Sequence, residues 1–148
     1  MTQVTPNQQS TGWKPYKLDH NAQKLVIERR DLENVLNESH KMRMSVAYGL
    51  ERFWGEHLRL MRDSKDRQKG EYWKAVWQAL HDVLHEAGFS LPNDPVKHNE
   101  TAKIEAMAEK IWKMPMEDQR AALMVLTQLC DALVWWTQRY KKKNGEGE

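Results

Sequence analysis

Two histidines stand one helical turn apart in a stretch rich in apolar residues. His81 and His85 are four positions apart, a spacing that puts both imidazoles on one face of a helix, where they could share a metal ion. A zinc site needs at least one more protein ligand, and Asp82 stands where zinc proteases carry a glutamate. We therefore predict no metal site and no cofactor, and interpret the pair as part of a solvated polar face.

A second pair of residues could act on RNA. Arg52-Phe-Trp-Gly-Glu-His57 resembles the arginine–histidine motif of the HEPN ribonucleases, which are small all-helical enzymes. The resemblance implies that the histidine acts on a ribose 2′-hydroxyl while the arginine stabilises phosphate charge. Phe53 replaces the polar residue that usually follows the arginine. Metal-independent RNA cleavage is thus an alternative function. The leading prediction is that the chain has no catalytic residues and is not an enzyme, since it contains no nucleophile elbow, glycine-rich phosphate loop or cysteine pair.

Basic residues follow one predicted helix face. Arg52, Arg59 and Arg62 are spaced by seven and three positions, so they share a side of a helix that leads into the charged segment 62–70. Such a row of cations could follow a phosphate backbone. Carboxylates interleaved between residues 51 and 66 favour the other interpretation, a solvated face of ion pairs. The predicted nucleic-acid contacts are Arg52, Arg59, Arg62, Arg67 and Lys69.

Tryptophan is unusually frequent, with 7 in 148 residues. Exposing an indole is costly, so each one indicates either a core position or a contact surface. Trp135 and Trp136 are adjacent, and their side chains point about 100° apart on a helix, so both cannot lie at the centre of one buried stripe. Core positions are predicted for Trp54, Trp77 and Trp112. A protein interface is predicted for Trp73, Trp135 and Trp136.

Helical periodicity extends over most of the chain. From Asp31, a candidate N-cap, apolar residues recur at helical spacing as far as Met61, with a break expected at residues 37–40 or at Gly49. Gly88 is expected to end the next helix. The later helices are predicted over residues 71–87, 99–113 and 115–140.

These elements predict an all-α fold made of a single bundle of four to five helices over residues 18–140. The predicted bundle is preceded by a flexible polar arm over residues 1–17 and followed by a disordered, lysine-rich tail over residues 141–148. The net charge of +2 is spread along the chain, unlike the concentrated basic patch of most nucleic-acid-binding proteins.

Cysteine usage and hydropathy indicate the compartment. The single Cys130 lies between leucines in the final helix, so we expect a buried thiol and a reducing environment. No apolar run approaches the ~20 residues of a membrane span, and the polar N-terminus lacks the features of a signal peptide. We predict a cytoplasmic protein without a membrane partner.

The closing helix carries a family resemblance. Residues 121–136, Ala-Ala-Leu-Met-Val-Leu-Thr-Gln-Leu-Cys-Asp-Ala-Leu-Val-Trp-Trp, resemble the last helix of the small all-helical subunits of type III CRISPR effector complexes. The resemblance implies a non-catalytic part in antiviral defence, stacked along a guide–target duplex, with a basic face on the backbone and apolar ends on neighbouring copies.

The leading prediction is therefore a non-catalytic helical subunit of a cytoplasmic, multi-protein and RNA-containing effector complex. Its expected partners are other protein subunits or copies of itself, together with single-stranded RNA or a guide–target duplex. The alternative from a different class is a helical adaptor or regulator that binds only protein.

Overall fold

Helices and short connections account for all of the described chain. The computed structural model describes the backbone of residues 15–142 and the side chains of residues 17–142. This part contains six α-helices and no strand, so the predicted all-α fold is confirmed. Within it, no helix combines the length and apolarity needed to cross a membrane. The helices are α1 (Pro15–Arg29), α2 (Glu38–Ser45), α3 (Leu50–Met61), α4 (Arg67–Glu86), α5 (Thr101–Trp112) and α6 (Met116–Tyr140); Val46–Tyr48 and Ser64–Asp66 form short 3₁₀ turns.

Helix α6 is the centre of the bundle. It is a single helix of 25 residues, as predicted, and about 37 Å long at 1.5 Å per residue. Helices α1, α2, α3 and α4 all pack on it. Leu126, Leu129 and Leu133 on its inner face are fully buried, and so is Cys130, as predicted. Burial raises the pKa of the Cys130 thiol, because the surrounding apolar side chains cannot solvate a thiolate.

Helices α3 and α4 form the most closely packed pair. One face of α4 is buried and includes Trp77, as predicted for that residue. Phe53 of α3 lies with its ring centroid 4.8 Å from that of Trp73. The two helices approach closely at Gly70, where a Cβ atom would lie 3.0 Å from the His57 backbone oxygen. This glycine is therefore required by the packing of α3 on α4.

The long helical pattern from Asp31 to Met61 is divided in the structure. Asp31 is not an N-cap, because residues 30–37 form turns in which Asn34 takes the left-handed conformation (φ 64°). Asparagine tolerates this conformation better than most residues, and it ends helical propagation. Gly49, one of the two predicted breaks, has φ 98° and separates α2 with its following 3₁₀ turn from α3. The two parts of this pattern, the three later helices and α1, which precedes Asp31, make six helices in the described chain rather than the predicted four or five.

Several predicted boundaries shift. Helix α1 begins at Pro15, so the last three residues of the predicted arm 1–17 are helical, while residues 1–14 lie outside the described residues. Helix α4 begins at Arg67, so part of the predicted charged linker is helical as well. The predicted tail is described only to Lys142, which forms an ion pair of 2.6 Å with Asp31. Gly88 has φ 89° and follows α4, as predicted.

The first turn of α2 is polar, yet it is buried between α4 and α6. Glu38 is 2% exposed and Ser39 is fully buried. The Trp73 indole donates a hydrogen bond of 2.9 Å to the Glu38 Oε1 atom, and Lys41 lies 3.3 Å from the Oε2 atom. Buried polar groups are stable only when they are paired. The pairing therefore fixes where α2 docks.

The Ser39 hydroxyl extends this network to α6. Its Oγ atom lies 2.7 Å from the Tyr72 hydroxyl and 2.6 Å from the Thr137 Oγ1 atom. Burial raises the pKa of Tyr72 to about 12, so the phenol stays protonated and can act as a donor. One serine thus joins three helices through hydrogen bonds.

Replacing Glu38 tests the network. Glu38→Ala should lower the free energy of unfolding by about 2 kcal/mol, because it leaves the buried Trp73 N–H without an acceptor. Glu38→Gln keeps a carbonyl acceptor and should cost less than about 1 kcal/mol. Urea unfolding followed by circular dichroism measures both changes.

The control is a double-mutant cycle. In a Trp73→Phe background no indole N–H remains, so Glu38→Ala should cost clearly less than in the wild type. Equal costs in the two backgrounds would show that the Trp73–Glu38 bond does not stabilise the fold.

A pair of glycine variants tests the contact between α3 and α4. Gly70→Ala should destabilise the protein by about 1–2 kcal/mol, because the new methyl group meets rigid backbone. Gly55→Ala should instead stabilise it by about 0.5–1 kcal/mol, because a Cβ atom there meets only the Glu51 side chain, at 3.6 Å. Thermal and urea unfolding of the two variants measure both changes in stability. The prediction would be contradicted if both substitutions stabilised the protein or both destabilised it.

Candidate binding surface

Helix α3 presents an arginine face to solvent. Arg52 and Arg59 are exposed and lie about 10 Å apart along the axis, given 1.5 Å per residue. Their spacing to Arg62 places all three within about 80° around the helix. Phe53 and Trp54 anchor the opposite side of α3 in the core. We call Arg52, Arg59 and Arg62, with Arg67 at the start of α4, the arginine face.

Carboxylates neutralise some of the predicted cationic contacts. Arg59 donates two hydrogen bonds to Glu56, of 2.9 and 2.5 Å, and this partner raises the pKa of Arg59 further. Lys69 is half-buried and lies 3.6 Å from Asp66. These contacts confirm the ion pairs expected from the interleaved charges. Exposed ion pairs contribute little, about 0–1 kcal/mol, so a ligand could displace them at low cost.

Three arginines keep their charge available. Arg52, Arg62 and Arg67 are exposed, and within residues 17–142 no carboxylate lies within ion-pair distance of their guanidinium groups. Arg52 instead lies with its guanidinium carbon 5.9 Å from the centroid of the Tyr48 ring. Such a cation–π contact orients the arginine without neutralising it.

An aromatic cleft opens at one end of the arginine face. It has a volume of about 300 Å³ and lies where the start of α3, the end of α5 and the first half of α6 meet. Tyr48 is 68% exposed and Trp112 is 60% exposed, although large rings are costly to leave in water. The side chains that line the aromatic cleft include Tyr48, Glu51, Arg52, Trp112, Gln119 and Leu123, so one carboxylate and one guanidinium group lie in it.

The exposure of Trp112 corrects its predicted place in the core. Helix α5 ends at this residue, and Ile111 and Met114 on either side are both buried. These two side chains occupy the inward positions, which leaves the indole of Trp112 facing the solvent. The core positions predicted for Trp54 and Trp77 are confirmed, at 2% exposure each.

The three tryptophans predicted for a protein interface lie in different environments. Trp73 is 2% exposed and bonded to Glu38, so it is a core residue and offers no surface to a partner. Trp135 is 55% exposed. Trp136 is half-buried and stacks on Tyr140 with 5.8 Å between the ring centroids. Of the three, Trp135 is the most accessible to a partner.

Arg52 and His57 do not meet in one site. Five helical residues separate their directions by about 140°. His57 points inward, is 6% exposed, and has its Nδ1 atom 2.5 Å from the Trp54 backbone oxygen. Burial lowers the pKa of His57, and the charge of Lys74 adds to this effect, so the ring is neutral near pH 7. The geometry offers no shared pocket in which this pair could hold a ribose and a phosphate.

The histidines of α4 do share a face. The His81 and His85 rings stack 6.1 Å apart and nearly parallel, and Asp82 lies 3.1 Å from the His81 Nδ1 atom. Among the described residues, however, no three histidine, cysteine or acidic side chains lie close enough to hold a metal ion together.

The aromatic cleft brings together residue types that are common at binding surfaces. Trp112, Tyr48 and Arg52 are of the residue types that dominate binding energies at interfaces, and they lie around one concave surface.

Comparison of the chain with known protein families, curated proteins and solved structures finds no match.

The burial of His57 predicts a pH dependence of stability. The unfolded chain binds a proton at the ordinary pKa of 6.5, whereas the folded state resists protonation. Stability should therefore fall as the pH drops from 7 to 5. His57→Gln should reduce this dependence, which urea unfolding at several pH values measures.

The matched control is His85→Gln, because His85 is exposed. This variant should keep the wild-type pH dependence. If His57→Gln and His85→Gln behave alike between pH 7 and 5, protonation of His57 is not the cause.

Proposed function

We propose that this chain is a non-catalytic helical subunit of a multi-protein assembly and that it binds the phosphate backbone of single-stranded RNA through the arginine face. The observation that carries the proposal is the exposure of Arg52, Arg62 and Arg67 without a carboxylate partner in the described part of the chain. Arg52 lies on α3, Arg62 directly follows it and Arg67 begins α4, and several exposed cations in one region are the usual means of holding a polyanion.

The ion pair of Arg59 with Glu56 affects how tightly we expect the protein to bind RNA and how salt changes that affinity. The pair is exposed, so a phosphate can replace the carboxylate with little loss of stability. Both acidic and basic side chains remain on the surface of α3, so affinity depends on a few phosphate contacts. We therefore expect modest affinity that falls steeply as salt rises.

A second surface supports assembly with protein. Met124 and Trp135 are 48% and 55% exposed, and their spacing of 11 positions places them within about 20° on the outer side of α6. Exposed methionine and tryptophan are enriched at protein interfaces. A backbone-binding face together with an apolar face is the arrangement implied by the resemblance to small subunits of type III CRISPR effector complexes.

The alternative is an adaptor that binds only protein. The ion pairs of Arg59 with Glu56 and of Lys69 with Asp66 favour this alternative. Because of these pairs, fewer cations are available to bind phosphate than the sequence alone suggests. In that case the exposed aromatic residues would contact a protein, and RNA would not bind specifically.

A double variant tests the proposal. Arg62→Gln with Arg67→Gln removes two exposed charges that no described carboxylate pairs with. Its affinity for a fluorescent 20-nucleotide oligouridine should fall. The slope of log affinity against log salt should become shallower by about 1.4, since each lost contact to a single strand removes about 0.7. Fluorescence anisotropy from 50 to 300 mM salt measures both.

The matched control is Lys24→Gln with Lys103→Gln, which changes the net charge equally but on α1 and α5. This control should retain the wild-type slope. Equal effects of the two double variants would indicate a non-specific charge effect, and absence of salt-dependent binding by the wild type would favour the protein-only adaptor.

A further inference from the structure

We propose that the aromatic cleft accepts an unpaired nucleobase of the strand whose phosphates lie on the arginine face. This inference rests on the proposed function and adds a ligand for a separate part of the surface. It predicts that the protein distinguishes a strand that carries bases from a bare sugar–phosphate chain.

The fold does not use the two aromatic rings that flank the cleft. Tyr48 and Trp112 are more than half exposed, while Val46, Leu50 and Ile111 beside them fill the inward positions. Apolar surface on a tyrosine or tryptophan left in water costs free energy that contact with a ligand would recover. A planar base matches these rings because base–aromatic stacking requires two flat faces.

Arg52 joins the cleft to the arginine face. Its guanidinium lies over the Tyr48 ring, and the same residue stands about 10 Å from Arg59 along α3, at 1.5 Å per residue. A strand held by Arg59 and Arg52 would therefore end at the cleft, with a phosphate on Arg52 and the adjoining base between the aromatic side chains. The Glu51 carboxylate also lines the cleft, so the positive charge at this end comes from Arg52 alone. Arg52 and Arg59 on one side of α3 still favour a polyanionic strand as the occupant over a neutral peptide.

The size and edge of the cleft also fit a base. Its volume of about 300 Å³ leaves room for a single planar ring system with water around it. Gln119 lies at the edge and donates its amide N–H to the Met114 backbone oxygen at 2.8 Å. The oxygen of the same amide is the group that could accept a hydrogen bond from a base N–H. Stacking with one polar contact implies tolerance of base identity.

The experiment compares two strands of equal charge. A 12-nucleotide oligouridine and an abasic ribose–phosphate strand of the same length are titrated into the wild type at fixed salt. We expect the oligouridine to bind about 5- to 150-fold more tightly, the range that one stacked base produces.

The variant Trp112→Leu keeps an apolar side chain but removes the aromatic face. It should lose most of the preference for oligouridine while keeping the wild-type salt dependence. Ile27→Ala is the control, because Ile27 is 43% exposed on α1 and is not a cleft-lining residue. Tyr48→Leu is a second variant in the cleft lining, and it should reduce the preference as well.

The outcomes separate this inference from the proposed function. Equal, salt-dependent binding of the two strands would overturn the inference and leave backbone binding standing, with a protein side chain as the occupant of the cleft. A preference that persists in both Trp112→Leu and Tyr48→Leu would also overturn it. Failure of both strands to bind would overturn the proposed function and this inference together.

Discussion

The burial of Glu38 and Ser39 at the start of α2 is the interaction on which the rest of the structure depends. Trp73 and Tyr72 of α4 and Thr137 of α6 are bonded to these two adjacent residues. Apolar packing alone would allow a short helix to slide, whereas these hydrogen bonds can form in only one position. The docking of α2 fixes the 3₁₀ turn that follows it. That turn places Tyr48 and the start of α3, and hence the cleft and the first arginine.

The parts of the fold that are predictable from sequence are those with long, regular apolar patterns. Helix α6 and the buried face of α4 follow from such patterns, as does the position of Cys130. Predictions failed where the residue that a side chain contacts lies far away in the sequence. Trp73 looked like a surplus indole because its acceptor, Glu38, stands 35 residues earlier. Trp112 looked buried because it follows Ile111 at the edge of the apolar stripe of α5, but Ile111 and Met114 take the inward positions.

The candidate site also has one part that is predictable from sequence and one part that is not. The arginines of α3 are predictable because a single helix sets their spacing. The aromatic cleft is not, since it brings together a 3₁₀ turn, the end of α5 and the side of α6. The pair Arg52 and His57 illustrates the opposite error. A short motif matched in sequence, but the helix turns its two members to opposite sides and buries the histidine among apolar residues.

The burial of Cys130 has a practical consequence for chemical labelling. The only thiol in the chain lies in the centre of the bundle, and thiolate formation there is suppressed. Oxidants and maleimides attack the exposed thiolate form, so the native fold should behave towards them as a cysteine-free protein. A cysteine introduced anywhere on the surface could then carry a spectroscopic probe or crosslinker without removal of the native residue.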